Sequence, residues 1–304
     1  MKKVIIWTVS IVLVLYIVIE CALPGIVMHS FLDQKVNNKK VYLAEESGLP
    51  TPDTLHLKSN DNIELFALKV VPETPKAVVV CLTGIEKPSV TCFWGHAKMF
   101  YDANYASILL EVRGHAPSGG NRICIGYEET ADVKAVTDYI KSNQKLKDIP
   151  VVIMGISMGG AIAINSIGNN NDINALISIA AYSAFEDAFV ELLDGQIPNI
   201  FLYGIKPFVE LTSMIRYDVN PLKMCPKRNI TRLNNRPALL MHTKKDSNVN
   251  FANFERLTKV APKNIQTMVR DLDEHFFTPD FLNPQSDSIY SNKIMSFIDE
   301  AVKL

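Results

Sequence analysis

A serine between two glycines is the first place in the chain where residue types and spacing could do chemistry. Gly155-Ile156-Ser157-Met158-Gly159 is a G-x-S-x-G pentapeptide. It follows the apolar run Val151-Val152-Ile153-Met154 and continues through Gly160 into Ala161-Ile162-Ala163-Ile164, a pattern that reads as buried strand, sharp turn and helix. Side chains on the flanking residues would collide in so tight a reversal, which glycine avoids. Ser157 is then held at the tip. The N–H of Met158, unsatisfied at the start of the helix, is aimed where negative charge would develop beside the serine hydroxyl. The chemistry this suits is attack on a carbonyl carbon. A chance Gly-Ser-Gly turn would lack the strand and helix around it.

A serine hydroxyl is a poor nucleophile until a base takes its proton, and the base works best when a carboxylate fixes its tautomer and stabilises its charged form. Asp246 falls in the loop after an expected strand at 238–241, and His275 in the loop after a strand ending near Val269. Both follow strand C-terminal ends, the edge at which Ser157 sits and where open α/β folds place their sites. Asp271, Asp273 and Glu274 also precede His275 and compete for the carboxylate role, although acids so close along one loop read as solvated charge. His115 and His242 read as structural residues, and His29, His56 and His96 carry no motif.

With 304 residues, 48% of them hydrophobic and 21% charged, the chain has enough apolar material for one large core. A net charge of −1 supplies no basic face for nucleic acid. The cysteines at 21, 81, 92, 124 and 225 are scattered and odd in number, so no disulfide framework is expected. Cys92 and His96 stand four apart, short of the three or four ligands a zinc site needs. No metal and no cofactor is expected.

The elements that must position these residues follow in order. A hairpin is expected from 55–57 and 63–71, joined by the turn cluster Ser59-Asn60-Asp61-Asn62. Buried strands are expected at 77–82, 107–112, 175–180, 238–241 and 266–269, with helices at 94–102 and 128–142 between them. Such alternation argues for a mostly parallel sheet covered by helices on both faces. The interval 182–235 interrupts the rhythm with helical stretches at 185–193 and 201–214, and reads as a short helical cap inserted after the strand that follows the Ser157 helix. Its aromatic residues serve either as core filling or as an acyl-binding surface.

Ahead of all this, Val4 to Leu23 would make a helix of about 30 Å, the thickness of a bilayer's hydrocarbon core. Residues 1–30 are expected to be a single-pass transmembrane anchor, 31–54 a polar tether and 55–304 the globular domain. A cleaved signal sequence is the alternative, although Glu20 would sit where cleavage sites prefer small residues. Lysines flank the run on both sides, Lys2 and Lys3 before it and Lys35, Lys39 and Lys40 after it, so charge leaves both orientations open; that a short N-terminal tail normally stays inside favours a domain outside the cytoplasm, or secreted if the segment is cleaved.

Over nearly everything from residue 55 onward, the chain resembles the α/β-hydrolase-fold serine hydrolases, in the membrane-tethered esterase and serine-aminopeptidase-like branch. The family order is Ser, acid, His, and Ser157, Asp246 and His275 match it. Leu239 to Val249 is similar to a segment ending H-G-x-x-D-x-x-V, with Thr243 in place of the glycine. Glu111 to Ser118 resembles D-x-R-G-H-G-x-S, with Glu111 in place of the aspartate. Asp218-Val219-Asn220-Pro221 resembles the end of a short cap. Leu82-Thr83-Gly84-Ile85 departs most, with Thr83 where the family has histidine. The resemblance implies Ser157, Asp246 and His275 as catalytic residues, and the backbone N–H groups of Ile85 and Met158 as oxyanion donors. The reaction it implies is hydrolysis of a small-molecule or lipid-like ester or amide through an acyl-enzyme. A peptidase or an acyltransferase on the same scaffold is the runner-up, and a non-catalytic binding protein of the fold a third reading.

Overall fold

The apolar runs form a single eight-stranded sheet. The computed structural model describes residues 1–37, 40–85 and 89–303. The strands are β1 (Asp53–Lys58), β2 (Glu64–Val70), β3 (Val78–Leu82), β4 (Ala106–Glu111), β5 (Val151–Ile156), β6 (Ala175–Ile179), β7 (Ala238–Thr243) and β8 (Gln266–Arg270). Their spatial order is β1-β2-β4-β3-β5-β6-β7-β8. The expected hairpin β1–β2 is antiparallel and joins β4 antiparallel, while β4, β3, β5, β6, β7 and β8 pair in parallel.

Strands β3 to β7 are buried along their whole length, as continuous apolar runs in a doubly covered parallel sheet should be. Val78, Val80 and Leu82 face the layer that holds α3 (Thr130–Ser142) and α4 (Met158–Asn169). Val79 and Cys81 face α2 (Trp94–Asp102) and α9 (Ser288–Ala301). Period-two alternation thus feeds two cores, one on each face.

Between β6 and β7 the chain makes α5 (Phe185–Leu193), α6 (Lys206–Tyr217) and α7 (Pro226–Asn229), and α8 (Ala252–Val260) follows β7. The expected helix over 201–214 is shifted: a short 3-10 turn ends at Phe201, Gly204 breaks the run, and Pro207 in the first turn restarts it as α6.

The N-terminal segment differs from the expectation in its ending. Helix α1 (Lys2–Leu32) runs past residue 30 and buries Glu20, Pro24, Met28 and Leu32, a stripe at spacing four, against the domain. Residues 31–54 are not a free tether. The Ile123 N–H donates to Leu32 O at 2.9 Å, Val36 bridges to the loop at His115, and the Trp94 indole donates to Tyr42 O at 2.9 Å. Ala44 and Leu49 are buried. Short polar spacing hid these contacts, because each is made with residues distant in sequence.

Candidate active site

Strand β5 delivers the chain to Ser157, whose φ of 57° and ψ of −124° are a conformation L-residues seldom adopt and cost about 1–3 kcal/mol. The surroundings enforce it. A Cβ on Gly155 would lie 2.0 Å from Gly159 O, and one on Gly159 would lie 2.4 Å from both Leu82 O and Thr83 O. Strand, helix and the end of β3 therefore meet at distances that only glycine permits. The Ser157 N–H donates to Ile179 O at 2.8 Å, anchoring the turn to β6.

Met158 is the first residue of α4, so its N–H lies among the orphan donors of the helix start. On the other side, a Cβ on Gly84 would come 3.2 Å from Ser157 Cβ, which puts the Gly84-Ile85 backbone alongside the serine. His115 steadies this segment: its Nε2 lies 2.9 Å from Ile85 O and its Nδ1 3.1 Å from Arg113 O. The structural reading of His115 fits these contacts. The residues just after Ile85, at 86–88, lie outside the described part of the chain.

Asp246 and His275 are brought together from the loops after β7 and β8. His275 Nδ1 lies 2.8 Å from Asp246 Oδ2 and 3.0 Å from Oδ1. Asp246 Oδ1 also accepts the N–H groups of Asn248 and Val249 at 2.9 and 3.0 Å. Burial works to raise the Asp246 pKa, but the His275 hydrogen bond and charge and these N–H groups outweigh it and hold the carboxyl below its ordinary value. The competing acids stand elsewhere: Asp271 pairs with Lys245 at the surface, and Asp273 and Glu274 are exposed. Thr243, where the sequence resemblance expects glycine, donates its hydroxyl to Glu274 O at 2.9 Å and so pins the residue before His275. Glu111, in place of aspartate, accepts from Ser89 Oγ and from the Val90 N–H.

Ser157, Met158, Ile85 and His275 all line one cavity of about 650 Å³. Its apolar wall comes from Ile123 and Ile125, from Phe185, Phe189 and Leu192 of α5, and from Phe276. Phe31 and Gln34 of the N-terminal segment and the acids Glu191 and Asp194 also line it, none of which the motifs indicated. The apolar character that resumes after Glu20 and repeats at 24, 28 and 32 was the one signal that this helix end belongs to the domain. His242 packs against Phe251 and Phe254, and burial lowers its pKa. Among the described residues no group of three or more His, Cys, Asp or Glu could hold a metal.

Residues 73–212 match the family model described as serine aminopeptidase, S33. The chain is 18% identical to the Pyrococcus furiosus esterase Pf2001, with a TM-score of 0.65 over 88% of this chain and 99% of that one. The fold is the α/β-hydrolase fold. An acylaminoacyl peptidase of Pyrococcus horikoshii shares the fold at 16% identity and a TM-score of 0.61, over 83% of this chain and 42% of that one. Among curated sequences, protein bem46 of Schizosaccharomyces pombe is 27% identical over 176 residues, 51% of this chain and 52% of its own length. The YqkD protein of Bacillus subtilis is 23% identical over 197 residues, 63% of this chain and 62% of its own. The chain thus spans between half and two thirds of these relatives. The family match contains Ser157 but stops before Asp246 and His275, so within this α/β-hydrolase fold the acid and base rest on their own geometry.

Proposed function

We propose that the chain is a serine hydrolase of carboxylic esters or amides, held to a membrane by α1 with its domain outside the cytoplasm. Ser157 Oγ attacks the carbonyl carbon while His275 takes its proton; Asp246 holds the imidazole and stabilises its charged form. The N–H groups of Met158 and Ile85 receive the oxyanion, worth roughly 3 kcal/mol each in comparable sites. The carbonyl then re-forms, the bond to the leaving alcohol or amine breaks, and His275 returns the proton to the leaving group. Water, deprotonated by the same base, frees the acyl group. The observation that carries this reading is a strained serine at a strand-to-helix turn, sharing one cavity with a histidine that is hydrogen-bonded to a buried carboxylate.

Glu191 and Asp194 favour a second reading, in which the cavity takes the free amino group of a peptide. Against it, Glu191 is already engaged by Arg256 at 2.5 Å and by Asn253 at 2.6 Å. A fluorophosphonate probe should label the full chain, and Ser157→Ala should abolish labelling while the thermal transition is kept. Labelling that survives the substitution moves the nucleophile elsewhere, and faster turnover of aminoacyl anilides than of acyl esters would favour the peptide reading.

A further inference from the structure

Helix α1 is too short in its free part to cross a bilayer without carrying the cap in with it. From residue 1 to Leu15 every residue is exposed, whereas from Tyr16 onward the helix is flanked by the domain. Val4–Leu15 would cover about 18 Å at ~1.5 Å per residue, against a hydrocarbon core of about 30 Å. The remaining ~12 Å is the length of Tyr16–Leu23, and that is the part in contact with the cap. The Tyr16 hydroxyl donates to Ile200 O at 3.1 Å, and its ring stacks on Phe201 with centroids 5.8 Å apart. Gly204 comes so close that a Cβ there would lie 2.9 Å from the Tyr16 hydroxyl. Buried Glu20, the one charge in the apolar run, lies beside Gly204 and so is screened from lipid.

The cap segment at this depth is itself suited to lipid. From Gly195 to Ile205 no residue is charged, with Asp194 before and Lys206 after. Ile200 and Tyr203 are exposed by 60% and 86%, and Leu211, Met214 and Ile215 of the neighbouring α6 also face outward. In water such a patch is costly; beside a membrane-crossing helix it is continuous with that helix's lipid-facing surface. The cavity opens beside the same elements, with Phe31 of α1, Leu192 of α5 and Gln196 on its wall. Its acids are Glu191, already paired with Arg256, and Asp194, which is exposed, and no lysine or arginine lines it among the described residues. That electrostatic setting disfavours an anionic head group.

We propose that segment 195–205 and the outward face of α6 are sunk in the leaflet that α1 enters, and that the cavity takes long-chain acyl esters with uncharged head groups directly from that leaflet. The substrate part rests on the serine-hydrolase reading; the insertion part does not.

Two measurements on the full chain in phosphatidylcholine vesicles test it. In a Trp7→Phe background, a Tyr203→Trp probe should lose more than half its fluorescence to acyl-chain-brominated lipid, because Trp94 is 2% exposed and stays constant. An Ile289→Trp probe on α9, across the sheet, should not respond. Absence of quenching at 203 overturns the insertion. The double substitution Ile200→Glu, Tyr203→Glu should leave turnover of a soluble butyrate ester within twofold and lower hydrolysis of a long-chain monoacylglycerol in vesicles by tenfold or more. Unchanged lipid turnover overturns the proposal, as does an equal fall in both activities in this pair and in the milder Ile200→Ser, Tyr203→Ser pair. A wild-type chain that neither labels with fluorophosphonate nor cleaves either ester refutes the hydrolase reading and the substrate assignment with it, while the quenching result still decides the insertion.

Discussion

His275 has acidic residues on both sides of its loop, and burial separates them. Asp246 reaches Nδ1 at 2.8 Å with its side chain removed from water, whereas Asp273 is exposed. A carboxylate acts on an imidazole in proportion to how little solvent screens the pair, so the proposed mechanism gives the buried one the task of fixing the tautomer and stabilising the imidazolium. Asp246→Asn is therefore expected to lower kcat on the order of a thousandfold or more, and Asp273→Asn to leave it within about twofold. Steady-state turnover of a soluble ester decides between them, and the reverse ordering would transfer the acid role. In the proposed mechanism the serine and its base act as a unit, so adding Ser157→Ala to His275→Ala should cost little more than either change alone.

At the scale of elements, the strands were legible because a buried strand declares itself locally: Val78 to Leu82 and Val151 to Ile156 are apolar without interruption, and β3 to β7 fall within a residue or two of the expected runs. So was the turn that holds Ser157, since its glycines are demanded by contacts between neighbouring elements. The cavity wall was not legible. Ile123 and Ile125 sit in a glycine-containing loop and become a wall only through distant partners: the Tyr182 hydroxyl donates to Ile125 O, Asn165 to Gly126 O, and the Glu129 carboxylate accepts from Cys124 and Gly126 N–H groups at 2.9 Å each. Glu129 makes this loop pH-sensitive. Burial raises its pKa from the usual 4.5 to about 7, opposed in part by the backbone hydrogen bonds. A carboxyl raised in the folded state binds its proton more tightly there than when unfolded. Its contribution is therefore greatest below about pH 4.5 and is lost as pH rises through about 7. Relative to Glu129→Gln, the wild type should lose up to about 3 kcal/mol between pH 5 and 8. Denaturant unfolding of both chains across that range tests this, and a constant gap would mean the carboxylate is ionised throughout.

The whole molecule joins an apolar helix to a doubly covered sheet, and the join lies within α1. Residues 1–15 are exposed throughout, whereas Met28 and Leu32 are 1% and 2% exposed in the core shared with α4 and α5. Phe31 and Gln34 then reach the cavity wall. Composition alone does not mark this division, since the apolar character runs through it; the burial stripe at 20, 24, 28 and 32 does. Cutting the chain on either side of Tyr16 should consequently have opposite results. A chain starting at residue 16 keeps the Tyr16 contacts and the buried stripe at 20, 24, 28 and 32, so in detergent it should match the full chain in Tm to within about 2 °C, a shift of under about 1 kcal/mol, and in turnover of a soluble ester. A chain starting at residue 33 leaves the sites of two large buried side chains empty, at about 2–5 kcal/mol each, and its Tm should fall by roughly 10 °C or more. Its cavity loses Phe31 besides, so turnover of long-chain esters should drop further than turnover of short ones. Thermal unfolding and ester assays on both chains decide the matter. If the chain from residue 33 proves as stable and as active as the full protein, α1 is an anchor alone and its stripe no part of the core.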